Sequence, residues 1–160
     1  MRSLKVLVLE DSPFRLMAIH QMLNASGVYD VLTADNIHGA RGSLTRRGAV
    51  DIAICNVQME EGDTRNLIEH LAKNRLAQAI ILLGCSGQAR LDLTACHARS
   101  LGLEVLASLP KPAPASVLHS LLEQYSLGMS TPGGSTPLAQ VEEMYAHERW
   151  PSERQLRRLR

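Results

Sequence analysis

Short apolar runs of strand length alternate with longer segments of helical period along most of this chain. The five runs are apolar at nearly every position and lie at 4–10, 29–34, 50–55, 79–83 and 103–109. In the segments that follow them, apolar residues recur every three or four positions, as on the buried face of a helix. Strands that are apolar on both faces belong to parallel sheets covered by crossover helices. The alternation therefore predicts an α/β fold.

Right-handed crossover connections leave few topologies for such a set of strands. The commonest small one is the flavodoxin-like, doubly wound (βα)5 parallel sheet, in which the strands are ordered 2-1-3-4-5. We predict this fold for residues 1–127. Ligands of such sheets bind beyond the carboxyl ends of the strands, at the point between the first and third strands where the order reverses.

The composition changes after residue 127. Residues 128–137 are rich in Gly, Ser, Thr and Pro and lack an apolar period, which is typical of a flexible linker. Residues 138–160 recover a helical pattern and end in several arginines, so we predict a short helical C-terminal tail. One face of that helix would carry Leu138, Val141, Met144 and Tyr145. The tail fits either a solvated terminal helix or a docking segment, in which Tyr145 and Trp150 would contact its own domain, a second subunit or a partner groove.

The charges of the chain are nearly balanced. There are 17 Lys and Arg residues against 16 Asp and Glu residues, which leaves a formal charge of +1. This balance gives no general electrostatic reason to expect a nucleic-acid or membrane partner. The N-terminal apolar run is too short for a signal peptide, and no apolar stretch has the length of a membrane span. We expect a cytoplasmic chain whose partners are proteins.

The cysteines and histidines favour structural roles. Cys55, Cys85 and Cys96 form no C-x-x-C pair, and we predict that they are small core residues in a reducing compartment. The 6 histidines fall on separate predicted helices, with no two spaced four apart, so neither a zinc site nor a phosphotransfer histidine is indicated.

Polar residues gather where three of the predicted strands end. Glu10 and Asp11 follow the first strand, Asn56 follows the third, and Lys111 follows the fifth. Carboxylate and carbonyl oxygens are the ligands that Mg²⁺ prefers, and a lysine supplies a point charge for phosphate oxygens. This edge of the sheet is therefore the predicted site for a divalent cation and a phosphoryl group.

With these motifs the sequence resembles the receiver domain of two-component response regulators. The resemblance covers residues 4 to about 127 and rests on "VLVLEDSP", "AICNVQM" and "LPKP" in the family's order. It implies that Glu10, Asp11 and the backbone of Gln58 stand at the metal positions. It also implies that Lys111 stands at the phosphate-binding position and Asn56 at the phosphoacceptor position.

Two departures from the family pattern bear on the chemistry. The family has at Asn56 an aspartate that attacks a phosphohistidine donor, whereas a carboxamide is neutral and a far poorer nucleophile. We therefore predict that phosphoryl transfer fails at this position. The family's Ser or Thr of the fourth strand is replaced by Gly84, and Ser86 would substitute only if its loop followed an unusual path. In the family this Ser or Thr swings toward the phosphate and is often accompanied by an aromatic residue in the fifth strand, where this chain has Ser108.

Other aspartates do not replace the missing nucleophile. Asp51 opens the third strand, roughly 16 Å from Asn56 at the rise of an extended chain. Asp63 is predicted to cap the following helix. Two arrangements remain for the site itself. Either Mg²⁺ still binds, weakly because one charged ligand is lost, or the Asn56 amide donates hydrogen bonds to Asp11 or Glu10 without a metal.

The resemblance leads to one preferred function and two alternatives. We expect a degenerate, non-enzymatic receiver that requires no cofactor and contacts a kinase, an output domain or another regulator. The face formed by the fourth helix, fifth strand and fifth helix would serve these contacts or a homodimer. The first alternative is the regulatory part or a relative of a cyclic di-GMP phosphodiesterase response regulator, because "SLGLEVLASLPKP" is similar to receivers that precede such domains. The second alternative is an ordinary phosphorylated regulator.

Overall fold

The structure, a computed structural model, describes residues 3–59, 63–84 and 88–128. Five strands and five helices alternate along the chain. In order they are β1 (Lys5–Leu9), α1 (Pro13–Ala25), β2 (Asp30–Ala34), α2 (Ile37–Arg47), β3 (Val50–Asn56), α3 (Asp63–Lys73), β4 (Ala77–Gly84), α4 (Gln88–Ser100), β5 (Glu104–Pro110) and α5 (Ala115–Ser126). The strands form one parallel sheet in the order β2-β1-β3-β4-β5. The predicted flavodoxin-like fold and strand order are confirmed.

Each strand of the sheet contributes side chains to two apolar layers. In β3, for example, Ala53 and Cys55 pack with α2, α3 and α4, whereas Ile52 and Ile54 pack with α1 and α5. All four side chains are fully buried. Because successive strand residues point to opposite faces, burial of both faces requires the continuous apolar runs seen in the sequence.

The ends of α1 follow from its flanking residues. Ser12 precedes the helix and its hydroxyl accepts a hydrogen bond of 3.4 Å from the backbone N–H of Arg15. Pro13 occupies the first turn, where no N–H is needed. Gly27 follows the helix with a φ of 84°, a conformation that glycine adopts without steric cost. These features fix the direction in which α1 leaves the carboxyl end of β1.

Two local predictions are corrected. Cys55 is buried, and burial raises the pKa of its thiol to about 12, but Cys96 is exposed on α4 rather than part of the core. Asp63 is the first residue of α3 rather than the residue that caps it. Its charge still lies at the positive end of the helix dipole. Cys85 lies outside the described residues.

Several other predictions fall outside the part of the chain that the structure describes. They concern Ser86, most of the linker, and the tail with Tyr145 and Trp150. Among the helices that are described, none combines the length and apolarity needed to cross a membrane.

Candidate functional site

The sheet register brings the predicted site residues together. Leu9 of β1 pairs with Cys55 of β3, so the next residues, Glu10 and Asn56, emerge side by side at the carboxyl edge. Glu10 and Asn56 are each 1% exposed, and Lys111 is 8% exposed. Polar groups buried to this extent require partners, because desolvation without a hydrogen bond is costly. Asp51 lies at the other end of the sheet, where its Oδ2 accepts a hydrogen bond of 2.9 Å from the N–H of Lys5.

The carboxamide of Asn56 is the centre of the site. Its Nδ2 donates to Glu10 Oε1 and to Asp11 Oδ1, both at 3.2 Å. Its Oδ1 accepts from the backbone N–H of Gln58 at 2.9 Å. A backbone N–H can only donate, so it selects the amide oxygen and leaves the NH₂ group facing the carboxylates. The amide therefore contacts both carboxylates directly. This is the second of the two arrangements expected from the sequence, in which Asn56 donates hydrogen bonds to the carboxylates without a metal.

A threonine that the sequence did not single out holds the end of β3. The hydroxyl of Thr64, which is buried in the first turn of α3, donates to the backbone oxygen of Asn56 at 2.6 Å. This bond links the start of α3 to the strand end that carries the amide. No motif identifies Thr64 in advance, because a threonine early in a helix has several common roles.

Glu10 makes two kinds of contact. Its Oε1 also accepts from the backbone N–H of Ser12 at 3.2 Å, and its Oε2 lies 3.8 Å from Nζ of Lys111. Burial raises the pKa of Glu10, and the hydrogen bond with Asp11 raises it further, whereas Lys111 acts in the opposite direction. The same hydrogen bond lowers the pKa of Asp11. Of the two carboxyl groups, Glu10 is therefore the one that loses its proton at the higher pH.

The magnesium ion implied by the family resemblance does not fit these groups as they are arranged. Mg²⁺ needs oxygen ligands, and the Asn56 amide presents hydrogens to the two carboxylates instead. Turning the amide over would set its NH₂ group against the N–H of Gln58, so two donors would face each other. Gln58 contacts the site through this N–H. Within the described ranges, no group of three or more His, Cys, Asp or Glu residues could hold a metal.

The site lies along the carboxyl edge of the sheet, and we call this the site edge. Its first half, at the ends of β1 and β3, is polar. Its second half, at the end of β4, is apolar in the residues that the structure describes. Gly84 pairs with Pro110 of β5, and a Cβ atom at Gly84 would lie 2.7 Å from Cγ2 of Val57 and 3.2 Å from Cδ2 of Leu91. Both distances are shorter than ordinary van der Waals contacts, so the space where a Ser or Thr side chain would begin is already occupied. The sequence showed that a hydroxyl was missing here, but not that two apolar side chains fill its place.

Comparison with known proteins assigns the chain to a family. The profile of the response regulator receiver domain matches residues 6–123. The chain belongs to this family. A receiver domain is itself non-enzymatic, and it functions in two-component signalling.

The relatives of this receiver domain include longer proteins and solved structures. The cyclic di-GMP phosphodiesterase RocR of Pseudomonas aeruginosa is 31% identical over 126 residues, which are 79% of this chain and 32% of RocR. The chain thus spans about a third of the length of that relative. A receiver domain protein of Clostridium thermocellum is 25% identical with a TM-score of 0.63, covering 76% of this chain and 92% of the other. The receiver domain of an HD domain-containing protein of Pseudomonas fluorescens shares the fold, with 23% identity, a TM-score of 0.65 and coverage of 77% and 94%.

Proposed function

We propose that this receiver domain is a pseudo-receiver, which does not accept a phosphoryl group at position 56 and signals through protein contacts. The observation that carries the proposal is the bonding of the Asn56 amide to Glu10, Asp11 and Gln58. Through these contacts the amide occupies one oxygen of each carboxylate that a metal would otherwise contact.

The chemistry at position 56 supports the proposal. Attack on phosphorus needs an oxygen with an available lone pair and, in this family, a negative charge. The oxygen of Asn56 is neutral and is oriented toward the N–H of Gln58. The atoms that face the two carboxylates are N–H hydrogens, which cannot act as nucleophiles. With the oxygen ligand turned away, we also propose that Mg²⁺ binding is weak or absent and that no cofactor is required.

The apolar half of the site edge supports a fixed conformation. By the family resemblance, a Ser or Thr at position 84 would move toward the phosphate. Here Val57 and Leu91 occupy the corresponding space against Gly84, and both are largely buried. Gly84 itself carries no hydroxyl, and there is no room for one beside its Cα atom. We therefore propose that the domain presents one constitutive surface to its partners.

The partner surface proposed is the face of α4, β5 and α5, which would bind a kinase, an output domain, another regulator or a second copy of the chain. Leu93 on α4 is 73% exposed, and Leu101, which follows the helix, is also exposed. Strand β5 is at the edge of the sheet. Exposed leucines beside an edge strand provide apolar area for a protein partner. The balanced charge and buried Cys55 thiol are consistent with a cytoplasmic protein that binds neither nucleic acid nor membrane.

Incubation with acetyl phosphate and Mg²⁺, followed by intact mass measurement, tests the proposal. The chain should keep its mass, and the matched variant Asn56→Asp should gain one phosphoryl group because a carboxylate is restored among the same neighbours. A stable phosphoryl group on residue 56 of the unaltered chain would refute the pseudo-receiver function. The Asp variant shows in the same experiment whether the phosphodonor and metal are competent.

A second candidate function is favoured by the likeness to RocR. The match extends over 79% of this chain, so the chain would be the regulatory part or a relative of a cyclic di-GMP phosphodiesterase response regulator. Purified residues 1–160 should then lack cyclic di-GMP hydrolysis but change the rate of such a phosphodiesterase when covalently continuous with it. If neither the chain nor its fusion affected hydrolysis, this candidate would be rejected. An ordinary phosphorylated regulator, the third alternative, is decided by the mass measurement.

A further inference from the structure

An open groove runs between α1 and α5, on the side of the sheet away from α2, α3 and α4. Its wider part has a volume of about 520 Å³. Small or apolar side chains form much of the lining, including Ala18, Met22, Ala25 and Ala115. A second part continues from Ser26 and His119, which line both parts, to Ser126 at the end of α5. Small side chains along two neighbouring helices let a third helix approach closely.

The last residue that the structure describes follows directly after one end of this groove. Gly128, the last described residue, follows the groove residue Ser126 by two positions. The next segment, 129–137, is dominated by Gly, Ser, Thr and Pro, and a flexible linker of this length has a root-mean-square span of about 15–18 Å. From Ala18 to Ala25 the helix is about 10 Å long, at the usual rise per residue. The linker is therefore long enough to carry the residues after it back along the groove.

The segment after the linker has an apolar face of matching length. In a helix, Leu138, Val141 and Tyr145 lie on one side, and the stretch they span is about 10 Å long. Short flexible tethering gives an effective concentration in about the millimolar range, so a modest contact area is enough for occupancy. A separate partner would have to supply the same contacts without this advantage.

We propose that residues 138–145 dock as a helix in the α1–α5 groove of the same chain. The apolar face of the segment covers the small side chains of α1 and α5, and its opposite face remains in solvent. This contact is independent of the chemistry at Asn56, so it stands or falls separately from the pseudo-receiver function.

The test compares matched lysine substitutions in the full-length chain by backbone amide NMR. Val141→Lys places a charge on the docking face, whereas Ala139→Lys adds the same charge on the opposite face of the predicted helix. Val141→Lys should shift the amide signals of Ala18, Met22 and Ala25, and Ala139→Lys should leave them unchanged. On the groove side, Ala25→Lys should shift the amide signals of residues 138–145, and Ala89→Lys, at an exposed position of α4, should not.

Each other outcome overturns the proposal. Unchanged groove signals in Val141→Lys would show that the tail does not occupy the groove. Shifts on the α4–β5–α5 face instead would place the tail at a different surface. The shifts at the groove could instead vanish on dilution while the mass from light scattering falls from dimer to monomer. This result would show that the tail of a second copy occupies the groove. A concentration-independent monomer mass with the predicted shifts is the supporting result.

Discussion

The two halves of the site edge depart from the family pattern in opposite ways. At the ends of β1 and β3 the polar groups remain, and Asn56 forms hydrogen bonds with Glu10, Asp11 and the backbone of Gln58. At the end of β4 a glycine, Gly84, stands where the family has a Ser or Thr, and Val57 and Leu91 fill the space beside it. The first half should therefore respond to changes of charge and the second to changes of volume. The same fold thus accommodates a carboxamide at the end of β3 and apolar side chains packed against a glycine at the end of β4.

The largest expected effect comes from adding charge to the polar half. In Asn56→Asp, two N–H donors become an oxygen that faces Glu10 and Asp11, so two charge-assisted hydrogen bonds are replaced by repulsion. We expect the free energy of unfolding to fall by about 2–4 kcal/mol without divalent cations. Chemical denaturation in EDTA and in millimolar Mg²⁺ measures this change.

Magnesium provides the control for this first experiment. A divalent cation would offset two of the three negative charges in Asn56→Asp, so Mg²⁺ should recover most of the lost stability, whereas the unaltered chain should not respond. An Asn56→Asp variant as stable as the parent in EDTA would show that the amide contacts do not organise this half of the edge.

The second largest effect is expected from adding side-chain volume to the apolar half. Gly84→Ala should lower the free energy of unfolding by about 1–3 kcal/mol, because the new methyl group overlaps with Val57 and Leu91. Gly42→Ala is the matched control, since a Cβ there meets only the flexible end of Arg46 at 3.6 Å and should stabilise α2 by about 0.5–1 kcal/mol. Thermal or denaturant unfolding measures both.

A double-mutant cycle locates the overlap at Gly84. Val57→Ala removes the Cγ2 atom that would lie 2.7 Å from the added methyl group, so Gly84→Ala should cost less in that background by about 1 kcal/mol. Additive effects of the two substitutions would show that Val57 does not fill this space.

The smallest effect is the pH dependence of the polar half. The raised pKa of Glu10 means that the folded state prefers its protonated form, so its contribution is fully present below the ordinary value of 4.5 and is lost as the pH rises through the folded value. Parent stability relative to Glu10→Gln should therefore decline above about pH 4.5. Asp11→Asn should show the opposite sign, because the lowered pKa of Asp11 adds stability that is lost as the pH falls below 3.8. If the stability of the parent relative to each variant changed with pH in the same direction for both variants, these assignments would be contradicted.

Much of the fold could be predicted because burial leaves a direct mark on the sequence. Ile52 to Cys55 are apolar without interruption since both faces of β3 are covered, and the end of that run placed Asn56 at the sheet edge. The faces of α4 were harder to predict. Its apolar residues occur all around the helix, and only packing selects Leu91, Ala95 and Ala98 for the core while Leu93 and Cys96 face solvent.

The sequence predicted which residues form the site but not which hydrogen bonds and packing contacts they make. Strand ends brought Glu10, Asp11, Asn56 and Lys111 together, as expected for parallel strands. The orientation of the amide depends on the N–H of Gln58, whose direction is set by the turn after β3. The filling of the space at Gly84 likewise depends on how closely α4 approaches β4. Such details arise from three-dimensional packing and have no counterpart in residue spacing.

The side-chain NH₂ signals of Asn56 report whether its amide, rather than a metal, organises the polar half. NMR spectra of the chain, assigned by comparison with Asn56→Ala, should show these two hydrogens protected from solvent exchange and unmoved by millimolar Mg²⁺. Rapid exchange, or a shift that saturates with Mg²⁺ as the amide oxygen turns to the metal, would show that the amide does not take the place of a metal.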